Sequence, residues 1–326
     1  MNTPTRSMLA QPVLRKLLPW IGGAMMALSL GVQAATHEVA TKYGTLRIEG
    51  EPSRVVTLYE GALDTATALG VKAVGAVATR GGDSVASYIA SQVPDISIVG
   101  TARETNIEAV AALKPDLILA PVTLSKEQYQ LLSSIAPTVV PDVQRFAKEG
   151  WKAEARVFAQ AMGREAELDS RLKTLDQEVA AVKAQFTQEF TDDERKTTLI
   201  RWMPQGAMVM GSQLFSSSLL EQMGFAVSDA GLVKEGRPHS SSLSQEKLSM
   251  IDGDWLFLAT LNKEGRDALA TAEKSPAFAR LNVVKEDRVI PVDGQIWTSA
   301  TGPLAAEQIV DTVRKAITKK AQESAS

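Results

Sequence analysis

The chain has 326 residues, a formal net charge of -3, 44% hydrophobic residues and no cysteine. Mixed charge at that apolar content excludes disorder for the body of the chain, and the lack of cysteine excludes a disulfide framework and any site for an N-terminal lipid anchor. The mildly acidic balance speaks against a nucleic-acid partner.

The first 34 residues read as a signal peptide. Arg6, Arg15 and Lys16 form a positive stretch, Leu17 to Leu30 an apolar core too short for a membrane span, and Val32-Gln33-Ala34 a small-x-small cleavage pattern. Cleavage near Ala34 predicts a freely diffusing periplasmic protein, more acidic than the whole chain because the leader takes three cations with it. The remaining residues suffice for two domains of about 100–150 residues each.

An opening hairpin is expected over Val39 to Ile48, around Tyr43-Gly44. Short β-branched runs follow at 54–58, 73–77, 96–99, 117–120 and 138–140, alternating with helical spacing at 62–69, 107–113 and 126–135. Alternation of this kind implies a largely parallel sheet with helices on its faces. Leu168, Leu172, Leu175, Val179, Val182 and Phe186 then make one apolar stripe along a helix of about Glu165 to Gln188. Such a helix is a surface helix, a coiled-coil seam, or a strut between two lobes. As a strut it restricts hinge closure, since it contains no Pro or Gly. Strands at 197–200, 255–259 and 288–292 repeat the first grammar, a helix over Leu304 to Ile317 closes the fold, and Lys319 to Ser326 reads as a loose tail. The expected architecture is α/β, with two Rossmann-like lobes joined by one long helix: N-terminal lobe 35–145, helical connector 146–190, C-terminal lobe 191–326.

One segment occurs twice. Glu108 to Ala120 returns in degenerate form as Glu246 to Leu258: a Glu opens a helical turn, an Asp follows eight positions later behind a Pro or Gly, and an apolar run reads as a buried strand. Two like lobes with a solute between them are the natural reading, because clefts at domain interfaces are favoured ligand sites.

Ligands in α/β sheets lie beyond the C-terminal strand ends. That rule selects Tyr59, Glu60, Thr79, Arg80, Thr101 to Arg103, Pro121, Arg201, Trp202 and Gln295 to Trp297. Arg80, Arg103 and Arg201 would offer forked donors to an anionic ligand, and Tyr59, Trp202 and Trp297 apolar walls. Catalytic signatures are missing: His37 and His239 are the only histidines, and no nucleophile elbow or phosphate-binding glycine fingerprint is present. His239 beside Ser240 to Ser242 is the one arrangement suggestive of a hydrolase. Two isolated histidines cannot build a zinc or manganese carrier site in a monomer.

Tyr43 to Leu46, Pro52 to Leu58, Asp64 with Ala68 to Val71, Val99-Gly100-Thr101, Asn106 to Leu119, Ile135 to Thr138, and Val292-Asp293-Gly294 with Trp297 together resemble the periplasmic binding proteins for iron-siderophore complexes, cobalamin and haem, closest to the ferric-citrate branch. The resemblance implies capture of a ferric siderophore by a monomer with no cofactor, iron being held through the chelator, and delivery to an inner-membrane ABC permease with its ATPase. It also implies that Glu108 and Glu246, one on each lobe, dock into basic permease pockets. Haem, with Tyr59 or His239 as axial ligand, and cobalamin are the alternatives within the family. Ala102 stands where ferric-citrate relatives carry an arginine, and 298–302 has no basic residue, which points to a larger or less charged siderophore than citrate.

Overall fold

The computed structural model describes residues 36–144, 147 and 149–324; the expected signal peptide lies outside them. β1 (Thr36–Thr41) and β2 (Gly44–Glu49) form the opening hairpin. β3 (Val55–Thr57), α1 (Glu60–Ala68), β4 (Ala73–Ala78), α2 (Ser87–Ala90), β5 (Ser97–Thr101), α3 (Ile107–Ala112), β6 (Leu117–Leu119), α4 (Lys126–Ser133) and β7 (Thr138–Val139) build the first lobe. Its five strands are all parallel, in the order β5-β4-β3-β6-β7. The chain runs outward from β3 to β5 and returns to β6, so the order reverses between β3 and β6. A crevice opens at such a reversal.

α5 (Gly150–Met162) and the long α6 (Glu165–Glu189) follow. All six residues of the predicted stripe are buried along α6, whose 25 residues span roughly 38 Å. α5 falls within the helical connector expected over 146–190, where the sequence singled out only the long helix; it packs on α1 and α6 through Ala155, Phe158, Ala159 and Met162.

The second lobe comprises β8 (Lys196–Met203), β9 (Gly206–Val209), α7 (Phe215–Gln222), β10 (Ala226–Val227), β11 (Trp255–Thr260), α8 (Lys263–Ala272), α9 (Pro276–Ala279), α10 (Asn282–Lys285), β12 (Val289–Asp293), α11 (Gly294–Thr298) and α12 (Pro303–Ser324). β10-β8-β11-β12 are parallel, and β9 pairs antiparallel with β8. The protein is thus two α/β lobes with largely parallel sheets, linked in sequence by one long helix.

α12 corrects the expected loose tail. It runs to Ser324, held at its end by Lys320, whose ammonium donates to Asp287 at 2.6 Å and to Glu323. It also lies alongside α6 in parallel: Arg171 pairs with Glu307 at 2.7 Å, Glu178 with Arg314 at 3.5 Å, and Gln185 donates to Thr318 at 2.9 Å. Those α6 positions are seven apart, two turns of a helix, so they share one face.

The repeat is structural. Asp116 accepts from the backbone of Ser53 and Arg54 at 2.8 and 2.9 Å, while its own N–H donates to the Arg54 carbonyl. Asp254 accepts from Lys196 N–H at 2.8 Å and donates its N–H to the Lys196 carbonyl. Each aspartate therefore pins the start of the strand beside its own, β3 in one lobe and β8 in the other. In the second copy the turn that begins with the glutamate is a 3-10 segment, Gln245–Ile251, rather than an α-helix.

Candidate functional site

A cavity of about 270 Å³ lies between the lobes. Its first wall comes from the strand ends at the reversal point: Tyr59 and Glu60 after β3, Arg80 after β4, Ala102 after β5, and Pro121 to Thr123 after β6. The facing wall is the start of α7 with Trp297 to Thr301, and the floor is the opening of α5, including Trp151 and Glu154.

Trp297 is anchored by stacking on Phe257 at 4.9 Å with rings 16° apart, and its carbonyl accepts from the Ser216 hydroxyl at 2.6 Å. The Tyr59 and Thr301 hydroxyls meet at 2.6 Å across the cleft. Burial, followed by the nearby Glu154 carboxyl, raises the Tyr59 phenol well above its ordinary range and keeps it neutral. That state suits hydrogen bonding and disfavours the tyrosinate a haem iron would want. Glu154 is 8% exposed, and burial pushes it up to about 7 against a hydrogen bond from Tyr59. Glu60, raised by burial, accepts the Arg80 N–H at 3.3 Å.

Arg201 stands just behind this lining. It is 4% exposed; among the described residues its Nε has no hydrogen-bond partner, and its only contact of that kind is Nη2 to the Met208 sulfur at 3.9 Å. Burial, and after it the Arg80 charge, lower its pKa to about 10. Arg201, buried beside a second guanidinium and with no carboxylate partner among the described residues, leaves the site short of an anion, because an unpaired buried charge costs several kcal/mol.

Of the residues proposed from sequence, Tyr59, Arg80 and Trp297 line the cavity and Arg201 backs it. Trp202 is brought elsewhere: successive strand residues face opposite ways, and on β8 it packs edge-on against Phe278 at 6.1 Å in the core of the second lobe. Arg103 is exposed in the turn after β5, outside the lining that Ala102 joins. Glu108, in the first turn of α3, and Glu246, in the 3-10 segment, are both exposed and neither lines the cavity. Trp151 and Glu154 were missed because no strand end flags them. The Ser240 hydroxyl donates to the Ser241 carbonyl at 2.7 Å and accepts from Val209 N–H, while His239 Nδ1 contacts the Ser240 carbonyl, so the Ser240 hydroxyl is committed to the backbone rather than to the His239 ring.

Among the described residues no helix is long and apolar enough to cross a membrane, and no cluster of three or more His, Asp or Glu is placed to hold a metal ion.

Comparison with known proteins agrees with this geometry. The achromobactin-binding periplasmic protein of Dickeya dadantii (strain 3937) is 28% identical over 271 residues, covering 81% of this chain and 86% of that one. The Fe(3+) dicitrate-binding periplasmic protein FecB of Escherichia coli (strain K12) is 24% identical over 296 residues, covering 90% and 93%. The crystal structure of Staphylococcus aureus SirA complexed with staphyloferrin B superposes with a TM-score of 0.74 at 27% identity, over 86% of this chain and 98% of that one. Residues 55–296, from the first strand of one lobe to the cleft helix of the other, match the family described as periplasmic binding protein, and the chain belongs to that family.

Proposed function

We propose that this protein captures a ferric siderophore, ferric citrate or a related chelate, outside the cytoplasm and delivers it to an ABC permease with its ATPase, as a monomer and without catalytic turnover. The carrying observation is the interlobe cleft where Arg80 and the buried, unpartnered Arg201 converge. An anionic chelate entering there would supply the missing counter-charge, and its own donor atoms already fill the iron coordination sphere. Relatives whose names specify achromobactin and ferric dicitrate support the same ligand class. Signal-peptide cleavage near Ala34 would release the chain to the periplasm.

Trp151 and Trp297 both line the cleft, so intrinsic fluorescence reports on binding. Titration with ferric citrate, ferric hydroxamates and ferric catecholates should quench it with one-to-one stoichiometry for at least one class. Silence across the panel, with a Soret band on adding haem, would replace this reading with haem transport.

A further inference from the structure

The cleft is not the purely basic receptor an anion alone would select. Arg80 is the one cationic side chain among its described lining residues, against the carboxyls of Glu60, Glu149 and Glu154. Two of these acids are occupied within the protein: Glu149 accepts from Lys152 at 2.6 Å, and Glu60 accepts the Arg80 N–H. Glu154 has no cationic partner among the described residues. It projects from the first turns of α5, buried yet lining the cavity, and its neighbour is the Tyr59 hydroxyl, which is itself shared with Thr301. Among the described residues the Glu154 carboxyl meets a neutral phenol and no cation, as Arg201 meets a thioether and no anion. The two unmet groups stand on different elements, α5 and β8, so one ligand satisfies both only if it carries anionic and donor groups at separate places.

We infer that Glu154 is a specificity-determining residue that accepts a hydrogen bond from an N–H donor, amide or ammonium, on the ferric chelate, so that the cleft prefers carboxylates joined through nitrogen over plain citrate. The inference rests on the siderophore reading above. It gives the departure at Ala102 a physical sense: a second positive charge is withheld from the wall that carries Arg80, while a carboxyl is offered from the floor.

Three ferric chelators separate the possibilities: two citrates joined to butane-1,4-diol by ester bonds, the same pair joined to 1,4-diaminobutane by amide bonds, and the diamide with a free amino group on its linker. Fluorescence titration of the full chain should show affinity rising about 10-fold or more at one step of this series, the amide step or the ammonium step. Glu154→Leu should remove that step, read as the ratio of diester to amide or ammonium affinity within the variant whatever its diester affinity, with Glu154→Met as the second apolar variant should the first not fold. Glu154→Gln, which keeps an acceptor oxygen but no charge, should abolish an ammonium step and retain an amide step. A flat series in the wild type, or a step that survives both apolar variants, overturns the inference. Binding of ferric hydroxamates or catecholates with none of the citrate series overturns it while sparing the siderophore reading; no ferric chelate binding at all removes both.

Discussion

Arg201 shows how a single side chain carries opposite demands of folding and binding. A guanidinium 4% exposed, with its Nε unpaired, destabilises the empty protein through lost hydration. Arg201→Met keeps the length and the apolar stem and removes the charge; it is expected to raise the melting temperature of the unliganded protein and weaken ferric-chelate binding by ~1.5–3 kcal/mol. Arg80→Ala should weaken binding by a similar amount with little change in stability, whereas Arg103→Ala, outside the lining, should stay within about 0.5 kcal/mol on both counts. Calorimetry and titration on the three variants check this order, and equal effects at all three would mean the cleft has been drawn too narrowly. Asp64 poses a different test. It is fully buried on α1 and accepts from the N–H groups of Leu304 and Ala305, each at 2.9 Å, and from the Tyr88 hydroxyl at 2.7 Å, yet burial raises its carboxyl to about 7. The folded form therefore holds a proton that the unfolded chain releases near pH 4, so stability contributed below that pH is lost as pH rises through about 7. Glu154 acts in the same direction. Asp64→Asn should remove on the order of 2 kcal/mol of the stability difference between pH 5 and pH 8, whatever constant penalty the changed cap adds. Denaturation midpoints at the two pH values measure it, and an unchanged difference would mean the three donors keep Asp64 ionised throughout.

At the scale of elements, what was legible in the sequence followed from periodicity and from strand ends. The α6 stripe, the hairpin and the parallel strands were all readable because burial imposes a period of 3.6 or 2 on apolar residues. Tyr59, Arg80 and Trp297 followed from one topological rule. α5 escaped because its buried face includes Lys152, tied to Glu149 and Asp176, and Glu154, which breaks the apolar pattern for the sake of the cleft. Trp202 was misassigned because position along a strand was used without its alternation of faces. The seam between α6 and α12 was invisible for another reason: it depends on residues more than a hundred positions apart. Where α12 begins it also meets α1 closely: the φ of +117° at Gly302 and the adjacent Asp64 carboxyl leave no room for a Cβ. The far end of α6 ends in an aromatic cluster, where Phe186 stacks on Phe225 at 4.0 Å and meets Trp255 edge-on at 5.9 Å. Phe186→Ala should cost ~3–5 kcal/mol of stability. Ferric-chelate affinity should stay within about 2-fold, because no member of that cluster other than through Phe257 and Trp297 reaches the cleft. A large loss of affinity in a protein that remains folded would show that the cluster sets the position of Trp297.

Across the whole molecule, the lobes are held by more than the one helix that joins them in sequence. Tyr59 meets Thr301, Ser87 N–H donates to Gln295 at 3.1 Å, and Asp64 of the first lobe caps α12. These contacts leave little freedom for a wide hinge, so a permease must recognise the loaded protein largely by its outer surface. Glu108 and Glu246 suit that task by their equivalence: each opens the same motif, each is exposed, and the two motifs end in aspartates that pin corresponding strands. A carboxylate at the start of a helix also stabilises it by ~0.3–1 kcal/mol, so loss of either must be judged against that local effect. Glu108→Ala and Glu246→Ala are expected to leave ferric-chelate affinity in solution unchanged and to lower uptake, or stimulation of the permease ATPase, each alone and more severely together. Replacement by Lys should be worse than by Ala if the docking partner presents basic pockets, as the resemblance implies, because it sets repulsion against them. Glu→Gln keeps the size and loses only the charge, and if Gln variants deliver iron normally while Ala variants do not, shape rather than charge governs docking. Uptake unaffected by the double Lys variant would reduce both glutamates to helix-starting residues and leave the repeat as a relic of how the two lobes are built.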